Sequence, residues 1–312
     1  MDSINKKLAK LLDKGDSDVE KLLATYEKRL LADYRVSLDE IKKDIAKMFE
    51  RYGDTVKYSD LVAYNRLTNL EKRIAEEIKK LTLKNIGTTK LALKDTFAES
   101  YYKSGYAIES SIGASLGFGQ LDSKIISAAL LNPLDRIKWA DRMKEHAKIY
   151  VNQIRSELSQ GLIQGHGYAK IAKAVTGRTG VNAGKIIRIV RTEGHRVQSA
   201  GRLLGIEKSE ASAKRLGMET SRIWVATLDS RTRSDHRKLD GEPAKMIDGK
   251  LQWRFPSGGT TVAPGMSGIA KEDIHCRCRL IMQLKDIPQN FANRKSDLGK
   301  QTYEEWKKGA VK

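Results

Sequence analysis

Two cysteines and five prolines are all that the 312 residues contain, and each scarcity removes a class of fold. Cys276 and Cys278 are too few for a disulfide framework. A bond between them would strain a ring closed across one intervening residue of extended chain, so both are expected as reduced thiols. Scarce proline leaves long helices uninterrupted. No run reaches the roughly 18 apolar residues of a membrane span. The opening MDSINKKLAKLLDKGD alternates charge with leucine and does not read as a signal peptide, which predicts a protein made and used in a cytoplasm. Neither a P-loop nor HExxH occurs, nor does a helix-turn-helix or zinc-finger reader of bases. Gly113-Ala114-Ser115-Leu116-Gly117 has the letters of a nucleophile elbow, but helical pattern precedes it where a buried strand is needed. The one DxD, Asp16-Ser17-Asp18, is placed in a charged turn among the first helices.

Positive charge is abundant. Lys and Arg number 58 against 39 Asp and Glu, a net charge of +19 that attracts polyanions. The excess is concentrated, since residues 178–239 hold fourteen basic residues against six acidic ones. Lys185, Arg188 and Arg191 follow at steps of three, with Arg202 about three turns on. On one helix these four share a face suited to a phosphate backbone, which positions without reading sequence. Arg196, Arg231 and Arg233 complete the expected DNA-contacting set. A solvated face is the bland alternative.

Residues 1–160 read as helix after helix. One apolar stripe runs from Ile4 to Leu30 and another from Leu38 to Phe49. A heptad-like third comprises Leu61, Tyr64, Leu67, Leu70, Ile74, Ile78 and Leu81. Asn132-Pro133, with Asp135 in the first turn, opens a further helix. Glycines at 113, 117 and 119 mark a break between helices. From Gly161 the texture changes: a short helix between glycine turns, a helix, the strand SRIWVATLD, a loop-rich tract to Asp273, the strand CRLIMQL and a polar tail. The expectation is an α+β protein, with an elongated helical region over 1–160, a small α+β domain over 161–290 and a tail over 291–312.

Across the second half, elements occur in a distinctive order. Arg191-Thr192-Glu193 with Arg196 comes first, then Trp224 in a strand leading into Leu228-Asp229-Ser230-Arg231-Thr232-Arg233. His236, Leu239-Asp240-Gly241, a loop with Pro256 and Pro264, and His275-Cys276-Arg277-Cys278-Arg279 follow. Residues 189–284 thereby resemble the phage Mu F-like head morphogenesis family, the minor capsid proteins of tailed bacteriophages. His275 departs from the family pattern, in which asparagine precedes the CRC triplet. The resemblance implies a virion component of few copies, assembled in the host cytoplasm. It further implies association with the portal protein, with scaffold and major capsid protein as further partners, and contact with double-stranded DNA.

Physically, Asp229 and Ser230 suit a tight turn held by an Asp–Arg network, with the arginines reaching outward. Glu193 and Arg196, three apart on a helix, suit a surface ion pair. Cys276 and Cys278 face the same way on a strand. They are expected as small buried thiols, which need no cofactor; with His236, His275 or Asp229 they alternatively complete a structural zinc site. Arg191, Glu193, Asp229, His236 and Cys276 would serve a nuclease or thiol hydrolase only if they converged. The favoured function is structural, at the portal and the packaged DNA, without catalysis. The alternatives are an effector or nuclease carried in the head and delivered with the genome, and a plain nucleic-acid binding module.

Overall fold

The computed structural model describes residues 3–53, 56–63, 65–131, 137–292 and 296–311. Tyr64 and the helix start expected at Asn132-Pro133 with Asp135 lie outside the described residues. The chain is α+β and mostly helical. Helices α1 (Ser3–Tyr52), α2 (Tyr58–Val62), α3 (Arg66–Ile112), α4 (Ser123–Leu131), α5 (Trp139–Ile163) and α6 (Tyr168–Arg215) come first. Then follow β1 (Glu219–Val225), α7 (Ser234–Lys238), β2 (Lys245–Ile247), β3 (Lys250–Arg254), β4 (Thr260–Thr261), α8 (Ala270–Asp273) and β5 (Arg279–Lys285). The chain closes with α9 (Gln289–Ala292), a 3-10 turn at Asp297–Gly299 and α10 (Tyr303–Ala310). Helix α1 merges the first two apolar stripes, and no proline interrupts it. The third stripe continues into α3, where Leu67, Leu70, Ile74, Ile78 and Leu81 are all buried.

Two compact units divide the chain. One comprises Met1–Leu23, Ala92–Arg136 and Arg191–Lys312, the other Ala24–Leu91 and Ile137–Val190. A single cut near residue 160 presumes that neighbours in sequence fold together. Here α1, α3 and α6 each supply residues to both units, and residue 160 lies inside α5.

The second unit is built only of helix segments among its described residues. Leu30, Ile41, Ile45, Leu70, Ile74, Tyr150 and Ile154 fill its core. Several polar side chains buried with them are paired. Tyr34 donates to Asn182 Oδ1 at 2.5 Å, Asn182 donates to the His146 carbonyl at 3.0 Å, and Tyr150 and Thr179 share a hydrogen bond of 2.6 Å.

The first unit carries every strand among the described residues. β1 and β5 form an antiparallel ribbon with Trp224 opposite Leu280, and β2-β3-β4 form an antiparallel three-stranded sheet. Helix α6 corrects one expectation: glycine turns do not bound a short helix at Gly177 and Gly180, because the helix runs through both. Further along it, glycines allow close crossings. A Cβ at Gly201 would stand 2.3 Å from the Phe97 carbonyl oxygen on α3, and one at Gly194 would stand 2.5 Å from a Leu23 methyl on α1.

The same crossing buries an ion pair. Asp16 is not in a turn; it sits in α1, 2 % exposed. Arg202 on α6 meets it with both terminal nitrogens, Nη1 to Oδ2 at 2.9 Å and Nη2 to Oδ1 at 2.6 Å. These nitrogens also donate to the Leu280 carbonyl on β5 and the Leu12 carbonyl on α1, each at 3.1 Å. Gln198 donates to Asp16 Oδ1 at 2.9 Å. Near the start of α1, the Asn5 amide bonds both the carbonyl and the N–H of Leu284 on β5, at 2.8 and 2.9 Å. The polar tail is not loose either. A Thr302/Glu305 capping box starts α10, and buried Trp306 donates to Glu109 on α3 at 2.7 Å.

Removing one partner of a buried pair strands the other charge. Asp16→Ala should destabilise the full chain by about 3–5 kcal/mol in urea unfolding. Asp13→Ala, which removes an exposed partner of Arg279, should cost less than about 1 kcal/mol. Equal losses would contradict this account of Arg202.

Candidate functional site

The residues of the sequence motif from Trp224 onward gather where β1 ends. Trp224 is fully buried in β1. Its backbone donates to the Glu242 carbonyl at 3.1 Å and accepts from Gly241 at 2.8 Å, so residues 241–242 run alongside the strand. Gly241 has φ 77°, the left-handed region that favours glycine after Asp240. Asp240 fixes the exit of the strand by accepting the Ala226 N–H at 2.8 Å.

Asp229 then holds the turn. Its carboxylate accepts from Arg277 through two parallel bonds of 2.6 and 2.7 Å, from the Arg231 N–H at 2.9 Å and from the Thr232 hydroxyl at 3.2 Å. Arg277, above all, holds the Asp229 carboxyl well below the usual carboxylate range. An Asp–Arg network was expected within the turn, but its main arginine comes from between the two cysteines. A two-pronged bond of this kind fixes the orientation of the peptide that bears it, and Thr227 reinforces it by donating to the Arg277 carbonyl at 2.9 Å.

With Arg277 held outward, Cys276 and Cys278 turn inward together, both buried. His236 from α7 meets them. Its Nδ1 lies 3.3 Å from the Cys278 sulfur and 3.7 Å from that of Cys276. Its Nε2 lies 3.1 Å from Glu272 Oε2 on α8, and that carboxylate is 4 % exposed. The imidazole stacks on Phe255 at 5.6 Å and meets the edge of Trp224 at 5.5 Å, while Trp253 packs on the far side of Trp224. Asp273, beside Glu272, accepts from the Ser267 hydroxyl and N–H and from the Gly268 N–H, tying down the loop before α8.

The two thiols are driven apart. Hydrogen bonding with Cys276, followed by the bond and charge of His236, pulls Cys278 down to about 5 against its burial. Cys276 is pushed up, first by Cys278 and then by burial. Burial alone would lower His236, but the bond to Cys278 and its charge outweigh that, and the imidazole is raised. Among the described residues, His236, Cys276 and Cys278 are the one group of three or more His, Cys, Asp or Glu whose ligating atoms lie within 4.8 Å of one another. Arg231, Arg233 and His275 join them around a cavity of about 10 Å³. His275 itself is exposed, with φ 59°, and its ring is not in the group. Neither is Asp229, which belongs to Arg277.

The expected DNA-contacting residues separate into two kinds. Arg188 and Arg191 are exposed on α6, Lys185 is half-buried one turn before, and the Arg231 side chain is 78 % exposed. Arg196 and Arg202 are withdrawn from the set. Both are buried, Arg202 on Asp16 and Arg196 on Glu193 at 2.7 Å and the Ala129 carbonyl at 2.9 Å, so no phosphate reaches either. The Glu193–Arg196 pair forms as expected but in the interior. Half-buried Arg233 donates to the Ile274 carbonyl. Sequence reasoning missed Asp16, Glu272 and the role of Arg277. The only signal for Glu272 was an acidic residue four positions before the first cysteine.

Comparison with known proteins adds the lineage. The family model described as Phage Mu protein F like protein matches residues 152–281. The minor head protein GP7 of Bacillus phage SPP1 is 34% identical over 304 residues, covering 94% of this chain and 95% of that protein. The NAD(+)--arginine ADP-ribosyltransferase EFV of Enterococcus faecalis (strain ATCC 700802 / V583) is 28% identical over 282 residues. That alignment covers 88% of this chain but 55% of the Enterococcus protein. No solved structure matches.

Trp224 is the side chain on which His236, Trp253 and Phe255 all rest. Trp224→Ala should cost about 3–5 kcal/mol in urea unfolding, as for other large-to-small changes of a buried aromatic. Trp224→Phe, which keeps a ring there, should cost distinctly less. A loss for Trp224→Ala below about 1 kcal/mol would show that the cluster does not depend on it.

Proposed function

The chain belongs to the phage Mu F-like family of head proteins, and from that premise we propose that it works as a minor head protein contacting both the portal and the packaged DNA. The observation that carries the assignment is end-to-end similarity to a protein named as a minor head protein, 94% of one chain against 95% of the other. As a phage head protein it is a component of the virion and assembles with other head components. No helix among the described residues is long and apolar enough to cross a membrane.

DNA contact is supported by charge and its placement. Lys185, Arg188 and Arg191 occupy successive turns of α6, and Arg231 projects from the turn after β1. Such residues meet phosphates without reading bases. Portal contact is supported by large apolar side chains left exposed on the helices, among them Val36 on α1, Leu83 and Leu91 on α3 and Ile149 on α5. Exposed apolar side chains gain from burial against a protein and nothing from a phosphate backbone. Scaffold and major capsid protein are further candidates for the same surface.

A second reading, an effector carried in the head, is favoured by the Enterococcus relative named as an ADP-ribosyltransferase. Against it, the chain spans about half of that relative's length. Labelled NAD with arginine-bearing acceptor protein distinguishes the two, and a nuclease assay with divalent metal tests the hydrolytic version. Turnover in either assay would displace the structural reading.

In the full chain, Arg188→Glu with Arg191→Glu should weaken retention of double-stranded DNA, and affinity should fall linearly on a log–log plot against salt. Lys42→Glu with Lys43→Glu on α1 should weaken it less. Leu83→Glu with Leu91→Glu should instead reduce co-purification with the phage's portal protein and leave DNA retention intact. Binding that selects one sequence or survives high salt, or portal association untouched by the leucine changes, would overturn the respective contact.

A further inference from the structure

We propose that His236 Nδ1, Cys276 Sγ and Cys278 Sγ are three ligands of a zinc ion, with Glu272 as the outer partner that holds the imidazole in place. The donor set is two sulfurs and one imidazole nitrogen, the soft and borderline ligands that select zinc over magnesium or calcium. Spacing fits as well. Zinc bonds of about 2.3 Å to sulfur and about 2.0–2.1 Å to nitrogen, set tetrahedrally, place neighbouring ligand atoms about 3.5 Å apart. The Nδ1–sulfur distances of 3.3 and 3.7 Å bracket that value. All three ligand atoms lie within 4.8 Å of one another, close enough for a single ion to bridge them.

Orientation of the histidine is the second observation. Glu272 Oε2, 3.1 Å from Nε2, is placed to accept a hydrogen bond from Nε2–H, the tautomer that turns the Nδ1 lone pair toward the sulfurs. A carboxylate behind a ligating histidine fixes both tautomer and ring orientation. A histidine merely packed in a core does not call for a carboxylate that is itself 4 % exposed. The surrounding charge agrees. Two thiolates and Glu272 would gather three negative charges in the interior, which a divalent ion offsets, with Arg233 and Arg277 at the rim of the cavity. That cavity, about 10 Å³, borders both cysteines and His236 and has room for about one water as the fourth ligand.

The ion has a clear structural task. Residues 226–278 contain only short strands and single-turn helices, and the ligands join α7 to the peptide entering β5 across that stretch. Zinc in such a place acts as a staple, and its binding energy becomes folding energy.

The test uses the full chain purified under reducing conditions. Elemental analysis should find one zinc per chain. Replacement by cobalt should give the visible absorption of a tetrahedral site with thiolate-to-cobalt charge transfer in the near ultraviolet. A chelator should lower the melting temperature, and added zinc should restore it. Cys276→Ser with Cys278→Ser should abolish the cobalt spectrum. Glu272→Gln should keep the stoichiometry and lower zinc affinity about 10–100-fold. Unmodified protein that contains no zinc, takes up none from solution and shows no cobalt–thiolate absorption would overturn the proposal without recourse to any variant. Unchanged affinity in Glu272→Gln would overturn the part given to Glu272.

Discussion

The first unit depends on one buried pair. Asp16 and Arg202 meet where α1, α6 and β5 converge, and neither charge can reach water without separating them. Taking both ions out of solvent is costly, and their attraction repays the cost only when the remaining hydrogen-bonding positions are filled. Here the terminal positions are filled from three directions, Gln198 on the carboxylate and the Leu12 and Leu280 carbonyls on the two terminal guanidinium nitrogens, while the Arg202 Nε is buried without a partner. A pair held at so many points ties helix, helix and strand together. The close approach at Gly201 follows from the same arrangement, because α6 can sit against α3 only where no side chain intervenes.

A second set of constraints passes outward from this one. Leu280, held by Arg202, lies opposite Trp224 in the ribbon, and Trp224 is the floor on which His236 rests. Two residues before Leu280 is Cys278. The position of the sulfur–imidazole group is therefore set from below by the aromatic cluster and from the side by Asp229 acting through Arg277. Motif residues from Trp224 to Cys278 that look scattered along the sequence form one network, with His236, Cys276 and Cys278 at its centre.

Much of this was legible in the sequence, and the failures have physical causes. Apolar spacing disclosed the helices, and alternation around Trp224 and in CRLIMQL disclosed both strands of the ribbon. The convergence of His236 with the two cysteines was visible as one of several possible ligand sets, but the choice among His275, Asp229 and neither needed coordinates. Glycine misled in α6, where Gly177 and Gly180 read as punctuation. Gly194, Gly201 and Gly205 recur at seven and four residues, a spacing that keeps them on one helix face and serves crossing rather than turning. Arg196 and Arg202 misled for a different reason. Charge counts treat every arginine as surface, and only tertiary structure reveals that Glu193 and Asp16 consume two of them. Glu272 carried too little local signal to be singled out.

The ribbon of β1 and β5 has a consequence for a protein that works in a crowded particle. Two-stranded sheets usually present open edges, rows of unpaired amides that recruit strands from other molecules. Both edges are partly covered here. Along β5, the Arg202 guanidinium occupies the Leu280 carbonyl and the Asn5 carboxamide occupies both polar groups of Leu284. Along β1, residues 241–244 take the backbone groups of Trp224 and the Arg222 carbonyl. Side chains from two helices thus do for one border what a third strand would do, and a turn does it for the other. Each covered group is one that a strand from a neighbouring molecule cannot take, which works against zipping into a shared sheet.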